Sequence, residues 1–182
     1  MSDIYPVVGI DQSLTCSGVV ILRDAADHTA VALVPLKRGV KRLLEIETAL
    51  RELIPEKTQV VVMEGYAFQA RGKVFALGEL GGIIKRLVHI SGIRMLIVPP
   101  STLKKFVLGT GIGQKNKMML GVFKKWGVEF DTDDECDAYA LAKAGALVLQ
   151  YEAEVKLEKQ EVEICKAVLK HTKLVLMEDE DA

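Results

Sequence analysis

The sequence predicts an α/β fold in which a mixed β-sheet lies at the centre and helices cover both of its faces. Short apolar runs rich in β-branched residues alternate with segments in which apolar residues recur at helical spacing. The predicted order is three strands, a helix, a strand, a helix, a strand and then several helices. This order is typical of a layered α/β protein.

The N-terminal strands form a predicted hairpin followed by a third strand. Val7–Ile10 is a short apolar run that ends at Asp11, and Val19–Leu22 resumes an apolar strand after a stretch of small and hydroxyl residues. The third predicted strand is Thr29–Leu36. Asp11, at the end of the first strand, is either a turn-forming residue or part of a site.

The rest of the chain is predicted to alternate helices with two more strands. A helix closed by Pro55 precedes the strand Gln59–Met63, which ends at Glu64. The further predicted elements are a helix with Gly78, Gly81 and Gly82 over residues 75–88, a strand Arg94–Val98, a short helix to Leu108, a helix 114–126, an Ala-rich helix from Asp133, a peripheral helix within 151–171 and a strand 173–177. Because glycine weakens a helix, these glycines predict close approach of another helix, a sheet or a second subunit.

Length and composition indicate one domain, 1–182. Its core is predicted to span about residues 5–150, and a charged extension with an acidic tail follows over 151–182. The chain has 182 residues, of which 49% are hydrophobic and 27% are charged. No apolar run is long enough to cross a membrane, and the N-terminus lacks the pattern of a secretory leader. Isolated Cys16, Cys136 and Cys165 favour a reducing compartment, so we expect an intracellular, cytoplasmic protein.

The charge is unevenly distributed. The formal net charge is −1, but Glu178–Asp181 is entirely acidic, whereas residues 99–128 contain six lysines and no acid. A local basic surface is therefore predicted, as a polyanionic partner would require. Lys124 and Lys125 are more simply explained as a solvated face.

Four acids stand where a site could form. Asp11 and Glu64 each end a predicted strand, and Asp134 and Asp137 are three residues apart on one helix, about 300° around its axis. If the strands are neighbours and the helix crosses their ends, the four carboxylates converge. Carboxylates that close together need cations, and hard oxygen ligands suit Mg²⁺ or Mn²⁺.

Each acid also has a purely structural explanation. Residues 133–135 could favour the positive end of a helix, and Glu64 could be an ion-paired core residue. Cys136 and His89 are both predicted to be structural. Cys136 is turned about 200° around the helix axis from Asp134, away from the acidic face.

The motifs GIDQSLTCSG, VVVMEGYAF and DDECDAYALA, in this order and spacing, resemble the RuvC-type Holliday junction resolvases of the ribonuclease H-like superfamily, with phage-encoded members most similar in character. The resemblance covers about residues 5–150. It implies a ribonuclease H-like fold. It also assigns catalytic and metal-binding roles to Asp11, Glu64, Asp134 and Asp137, with Mg²⁺ or Mn²⁺, two ions per site, as cofactor.

A second tract, LKKFVLGTGIGQKNK, resembles the DNA-contacting region of the same family. It implies phosphate contacts by Lys104 and Lys115, with Lys105 and Lys117 as additional candidates. An aromatic residue that stacks at the junction is expected soon after Glu64, and both Tyr66 and Phe68 qualify, although either could be a core residue. Arg71 and Lys73, in the same stretch, are further candidate DNA-binding residues.

The resemblance implies a metal-dependent endonuclease that resolves four-way junctions and other branched DNA. Symmetric paired nicks with 5′-phosphate and 3′-hydroxyl ends are expected, and two-fold symmetric cleavage requires a homodimer. We expect the glycine-bearing helix to supply much of its interface.

Three alternatives remain open at the level of sequence. One is a related nuclease acting on flaps, forks or RNA:DNA hybrids, and another is an inactive junction-binding protein. The third is an actin-like phosphotransferase, because GID followed by a small-residue hairpin occurs there too. That fold needs two such domains, and the chain has room for one.

Overall fold

The computed structural model describes residues 4–65, 74–110 and 116–176, with the side chain of Asn116 left aside. The strands within these residues are β1 (Val7–Asp11), β2 (Ser17–Leu22), β3 (His28–Leu33), β4 (Val60–Glu64) and β5 (Arg94–Val98). The helices are α1 (Val40–Leu53), α2 (Val74–Ile90), α3 (Pro100–Leu108), α4 (Asn116–Trp126), α5 (Asp133–Glu152) and α6 (Lys159–Leu176).

The strands form one mixed sheet in the order β3-β2-β1-β4-β5. β1 pairs antiparallel with β2, and β2 pairs antiparallel with β3. β4 is parallel to both β1 and β5. The predicted hairpin is therefore present, and the crossovers through α1 and α2 account for the parallel half of the sheet.

Helices cover both faces of this sheet, as the sequence predicts. Val7, Val60 and Val62 point to the face that carries α5 together with α3, α4 and α6. Val8 and Val61 point to the opposite face, which α1 and α2 cover. Alternate residues of the central strands thus serve two cores, which explains why these strands are apolar throughout.

Glycines let α5 approach the sheet closely. A Cβ on Gly9 of β1 would lie 2.0 Å from the Ala138 carbonyl oxygen, and one on Gly18 of β2 would lie 1.9 Å from that of Asp134. A Cβ on Gly145 of α5 would in turn lie 2.4 Å from a methyl carbon of Val62. The Ala-rich helix predicted to pack tightly on the sheet does so at the level of backbone contact.

The C-terminal segment differs from the prediction. The predicted strand 173–177 is wrong over the residues described, because Lys173–Leu176 continues α6. This helix is also less peripheral than expected, since Ile164, Cys165 and Val168 are buried in the α5-side core. Their helical spacing continues to the buried Thr172, so one apolar stripe organises the whole segment as a helix.

The third strand is shorter than predicted and ends at Leu33. Among the helices within the described ranges, none combines the length and apolar character needed to cross a membrane.

Candidate active site at the carboxyl edge of the sheet

Asp11 and Glu64 end two neighbouring parallel strands at the same edge of the sheet. Ile10 is paired with Met63, and the two acids are the next residues along β1 and β4. Parallel strands present their carboxyl ends on one edge, where sites are commonly built. The sequence placed an acid at each strand end but could not show that the strands are adjacent.

Helix α5 begins over this same edge. Gly18 is the cross-strand partner of Asp11, and it is the residue that the Asp134 backbone overlies. Thr132 caps the helix, because its side chain accepts a hydrogen bond from the Glu135 amide at 3.2 Å. Asp134 is therefore held beside the end of β1 by a helix cap and a glycine contact.

Asp137 is electrostatically coupled to Glu64. The pKa of the Glu64 carboxyl is raised to about 7, chiefly by burial and then by the negative charge of Asp137, while Lys104 acts in the opposite direction. Acids from a strand and a helix far apart in sequence thus influence one another. The raised pKa marks this edge as a place where negative charge is concentrated and poorly solvated.

Cys16, in the turn between β1 and β2, lies in the same acidic environment as Asp11 and Asp134. Burial raises the pKa of its thiol to about 11, and a hydrogen bond to Asp134 contributes in the same direction. Sequence analysis missed this contact, since nothing in the spacing of the cysteines connects Cys16 to a helix that begins at residue 133. Cys136, predicted to be structural, is buried.

The donor chemistry suits a divalent cation at Glu64 and Asp137. Within the described ranges, no three His, Cys, Asp or Glu residues are grouped closely enough to hold a metal ion by themselves. Mg²⁺ is often held by one or two carboxylates, with waters and substrate phosphates completing its coordination. A pair of coupled carboxylates, one with a raised pKa, fits that mode of binding. The assignment of all four acids as metal ligands stays a prediction.

The predicted DNA-binding lysines lie in different surroundings. Lys104 of α3 is near enough to Glu64 to lower its pKa, whereas the amino group of Lys105 pairs with Glu163 of α6 at 3.0 Å. Lys117 lines an open pocket of about 610 Å³ between α3 and α4, together with Lys124 and Lys125. Of the three predicted lysines that are described, Lys104 is the one whose charge lowers the pKa of Glu64.

Lys125 is not the simple solvated residue expected from sequence. Its amino group donates a hydrogen bond to the Phe106 carbonyl at 2.7 Å and lies 3.9 Å from the centroid of the Phe106 ring. It therefore joins α4 to α3. Five other candidate DNA-binding residues lie outside the described residues: Tyr66, Phe68, Arg71, Lys73 and Lys115.

This sheet order, with α5 packed across the strands that end at Asp11 and Glu64, is that of a ribonuclease H-like fold. No protein-family model matches the chain. Individual relatives do. The chain is 24% identical over 148 residues to the crossover junction endodeoxyribonuclease RuvC of Synechococcus sp. (strain WH7803), covering 76% of this chain and 96% of the relative. It is 28% identical over 153 residues to RuvC of Rhizobium leguminosarum bv. trifolii (strain WSM2304), covering 78% and 89%.

Solved structures agree on the fold. T. thermophilus RuvC in complex with a Holliday junction substrate superposes with a TM-score of 0.64 at 19% identity, over 82% of this chain and 96% of that chain. The Fowlpox virus resolvase in complex with Holliday junction DNA superposes with a TM-score of 0.54 at 14% identity, over 84% and 100%. The predicted resemblance to RuvC-type Holliday junction resolvases is confirmed, and so is the ribonuclease H-like fold.

Proposed function

We propose that this protein is a metal-dependent crossover junction endodeoxyribonuclease that resolves Holliday junctions. The observation that carries the proposal is that Asp11 and Glu64 end neighbouring parallel strands at one edge of the sheet, where α5 begins and the charge of Asp137 acts on Glu64. The similarity to RuvC over most of the chain supports it. We assign Asp11, Glu64, Asp134 and Asp137 as the catalytic acids.

The carboxylates would bind Mg²⁺ or Mn²⁺, two ions per site, with Glu64 and Asp137 as the coupled pair that most needs a cation. Such ions supply activation of the attacking water and stabilisation of the departing 3′ oxygen. The protein's own part is to hold the acids on a rigid edge and to set a lysine beside them. Lys104 would attract a phosphate close to the scissile bond, and Lys105, Lys115 and Lys117 are further candidate phosphate contacts.

A homodimer would supply two active sites for a two-fold symmetric junction. We propose that α2 contributes the contact. A Cβ placed on Gly78 or Gly82 would meet no atom of the described residues within 4 Å, so packing among those residues does not require these glycines. Phe75, on the same helix, is 89% exposed. An open glycine surface beside an exposed aromatic suits close approach of a second α2.

The expected products are paired nicks with 5′-phosphate and 3′-hydroxyl ends, which a ligase can seal. We propose a single domain that acts where DNA recombines, inside the cell. Either Tyr66 or Phe68 would stack at the junction, and separate substitution of each by Ala would show which one does.

The test uses purified protein with labelled four-way, three-way, flap and linear duplex DNA and an RNA:DNA hybrid, with and without Mg²⁺ or Mn²⁺. We expect metal-dependent, symmetric cleavage of the four-way junction. Cleavage confined to flaps, forks or hybrids would identify a related nuclease of the same fold. Tight junction binding without cleavage in either metal would identify an inactive binding protein.

Asp11→Asn tests the catalytic assignment. The substitution removes a negative charge while keeping the side chain's size, so the variant should bind the junction and fail to nick it. Asp131→Asn is the matched control, because Asp131 is an exposed acid just before α5. Nicking by Asp11→Asn at the rate of the control would remove Asp11 from the site.

A further inference from the structure

Helix α6 crosses the free edge of the sheet from one face to the other. Its first half packs into the α5-side core through Ile164, Cys165 and Val168. Its last residues, Val175 and Leu176, pack against the core on the opposite face, which α1 and α2 cover. The helix therefore straddles β5, the outer strand on the parallel side of the sheet.

At the crossing point, Thr172 takes up the hydrogen bonds that an edge strand leaves open. Its Oγ1 accepts a hydrogen bond from the Ile97 amide at 2.9 Å and donates one to the Ile97 carbonyl at 3.4 Å. Both groups are buried, so an unpaired state would be costly. The Thr172 hydroxyl therefore ties α6 to the C-terminal end of β5.

The side chain of His171, the residue before Thr172, lies against Gly65, the residue that follows Glu64. A Cβ on Gly65 would lie 2.7 Å from the His171 Nε2 and 3.4 Å from a methyl carbon of Ile97. Gly65 itself donates a backbone hydrogen bond to the Val98 carbonyl at 2.9 Å. The backbone that carries Glu64 is therefore enclosed between β5 and the imidazole of α6.

We propose that His171 and Thr172 are positioning residues for Glu64, and that α6 acts as a brace which holds the catalytic end of β4 in place. The inference rests on the proposed function only in that Glu64 is assigned there as a catalytic acid. Neither residue needs to touch DNA or metal. The brace acts through Gly65 and Ile97.

The hydroxyl of Thr172 offers a test with a matched control. Thr172→Val keeps the shape of the side chain and removes both hydrogen bonds, whereas Thr172→Ser keeps the bonds and removes a methyl group. We expect Thr172→Val to lower kcat on a four-way junction by roughly tenfold, since small misplacements of catalytic groups are costly. KM and junction affinity should stay within about twofold, and Thr172→Ser should recover most of kcat. Equal kcat in Val and Ser variants would overturn the proposal.

The contact between His171 and Gly65 can be tested by a double-mutant cycle. Gly65→Ala places a methyl group against the imidazole and should lower kcat, and His171→Ala should lower it as well. Because His171→Ala removes the obstructing ring, Gly65→Ala should cost at least threefold less in that background. Additive losses would show that the ring does not constrain Gly65. Leu174→Ala, at a position 72% exposed on α6, is the control for nonspecific effects on the helix.

Amide hydrogen exchange separates failure of the brace from failure of the proposed function. In the metal-free protein, Thr172→Val and His171→Ala should speed exchange of the Gly65 amide at least tenfold. Its own partner, the Val98 carbonyl, is intact in both variants. Exchange at Val20 of β2, away from α6, should stay unchanged. Unchanged exchange at Gly65 would refute the brace whether or not the protein cleaves DNA, and absence of any nuclease activity would leave this readout valid.

Discussion

The carboxyl of Glu64 should make the folded protein less stable as the pH rises, and replacing it by Gln should remove that penalty. Its pKa is raised from 4.5 to about 7 by burial and by the neighbouring charge of Asp137. The folded state therefore holds the Glu64 proton more tightly than the unfolded state does. Stability from this group is greatest below about pH 4.5, falls as the pH rises to about 7, and is constant above that.

The size of the effect follows from the two pKa values. Their difference corresponds to about 3 kcal/mol in the free energy of unfolding once Glu64 is ionised, taken as an upper value. Glu64→Gln is neutral at every pH, so at pH 8 it should exceed the wild type in stability by up to this amount. At pH 4.5 the two proteins should be nearly equal. For a chain of this length, each kcal/mol corresponds to about 2–4 °C in Tm.

The assay is urea denaturation at several pH values in the presence of a metal chelator. The difference between variant and wild type is the readout, because other groups titrate in both proteins. Glu79→Gln is the control, since Glu79 is exposed on α2. A difference between Glu64→Gln and wild type that is the same at pH 5 and pH 8 would refute the description of Glu64 as a buried carboxyl opposed by Asp137. Mg²⁺ at pH 8 should narrow the difference, because it binds the folded wild type in preference.

Three further substitutions test other parts of the site. Lys104→Ala should weaken junction binding and lower the slope of log affinity against log salt by about one. Lys57→Ala is the control, because exposed Lys57 lies just before β4, at the end of the strand away from Glu64. Equal salt slopes in the two variants would argue against a phosphate contact by Lys104. Gly18→Ala should lower the free energy of unfolding by at least about 1–3 kcal/mol and abolish cleavage, because its Cβ would overlap the Asp134 carbonyl oxygen. An unchanged melting temperature would contradict the close packing of α5 on the sheet. Gly82→Leu should stabilise the monomer by up to about 1 kcal/mol, since glycine is a poor helix former and a Cβ there would meet none of the described residues within 4 Å. Sedimentation should show loss of the dimer, and an intact, active dimer would exclude this face as the interface.

Much of the candidate site could be predicted from sequence because its acids interrupt strong patterns. Glu64 ends the apolar run VVVM, and Asp11 ends VVGI, so each carboxylate is fixed at a strand terminus by the residues before it. Two such ends become one site only when β1 and β4 are neighbours, and that depends on long-range pairing which local periodicity does not encode.

The position of α6 could not be predicted for the same reason. A stripe of buried residues shows that a helix has an apolar face, but it does not show which edge of the sheet receives it. Thr172 is a polar residue within that stripe, and its partner Ile97 is 75 residues away in the chain. The apolar Leu174–Met177 led to the wrong prediction of a strand, whereas burial at Val168 and Thr172 preserves helical spacing.

The electrostatics of Glu64 connect stability, metal binding and packing at one residue. A carboxyl with a pKa of about 7 is only half ionised at neutral pH, so a cation that binds there must first displace a proton from part of the population. Lys104 lowers the same pKa and thus favours the ionised form before any metal arrives. Burial of the carboxyl and the charge of Asp137 act in the opposite direction and raise its pKa. A divalent cation bound beside Glu64 and Asp137 would offset the cost of holding a buried carboxylate in its fully charged form.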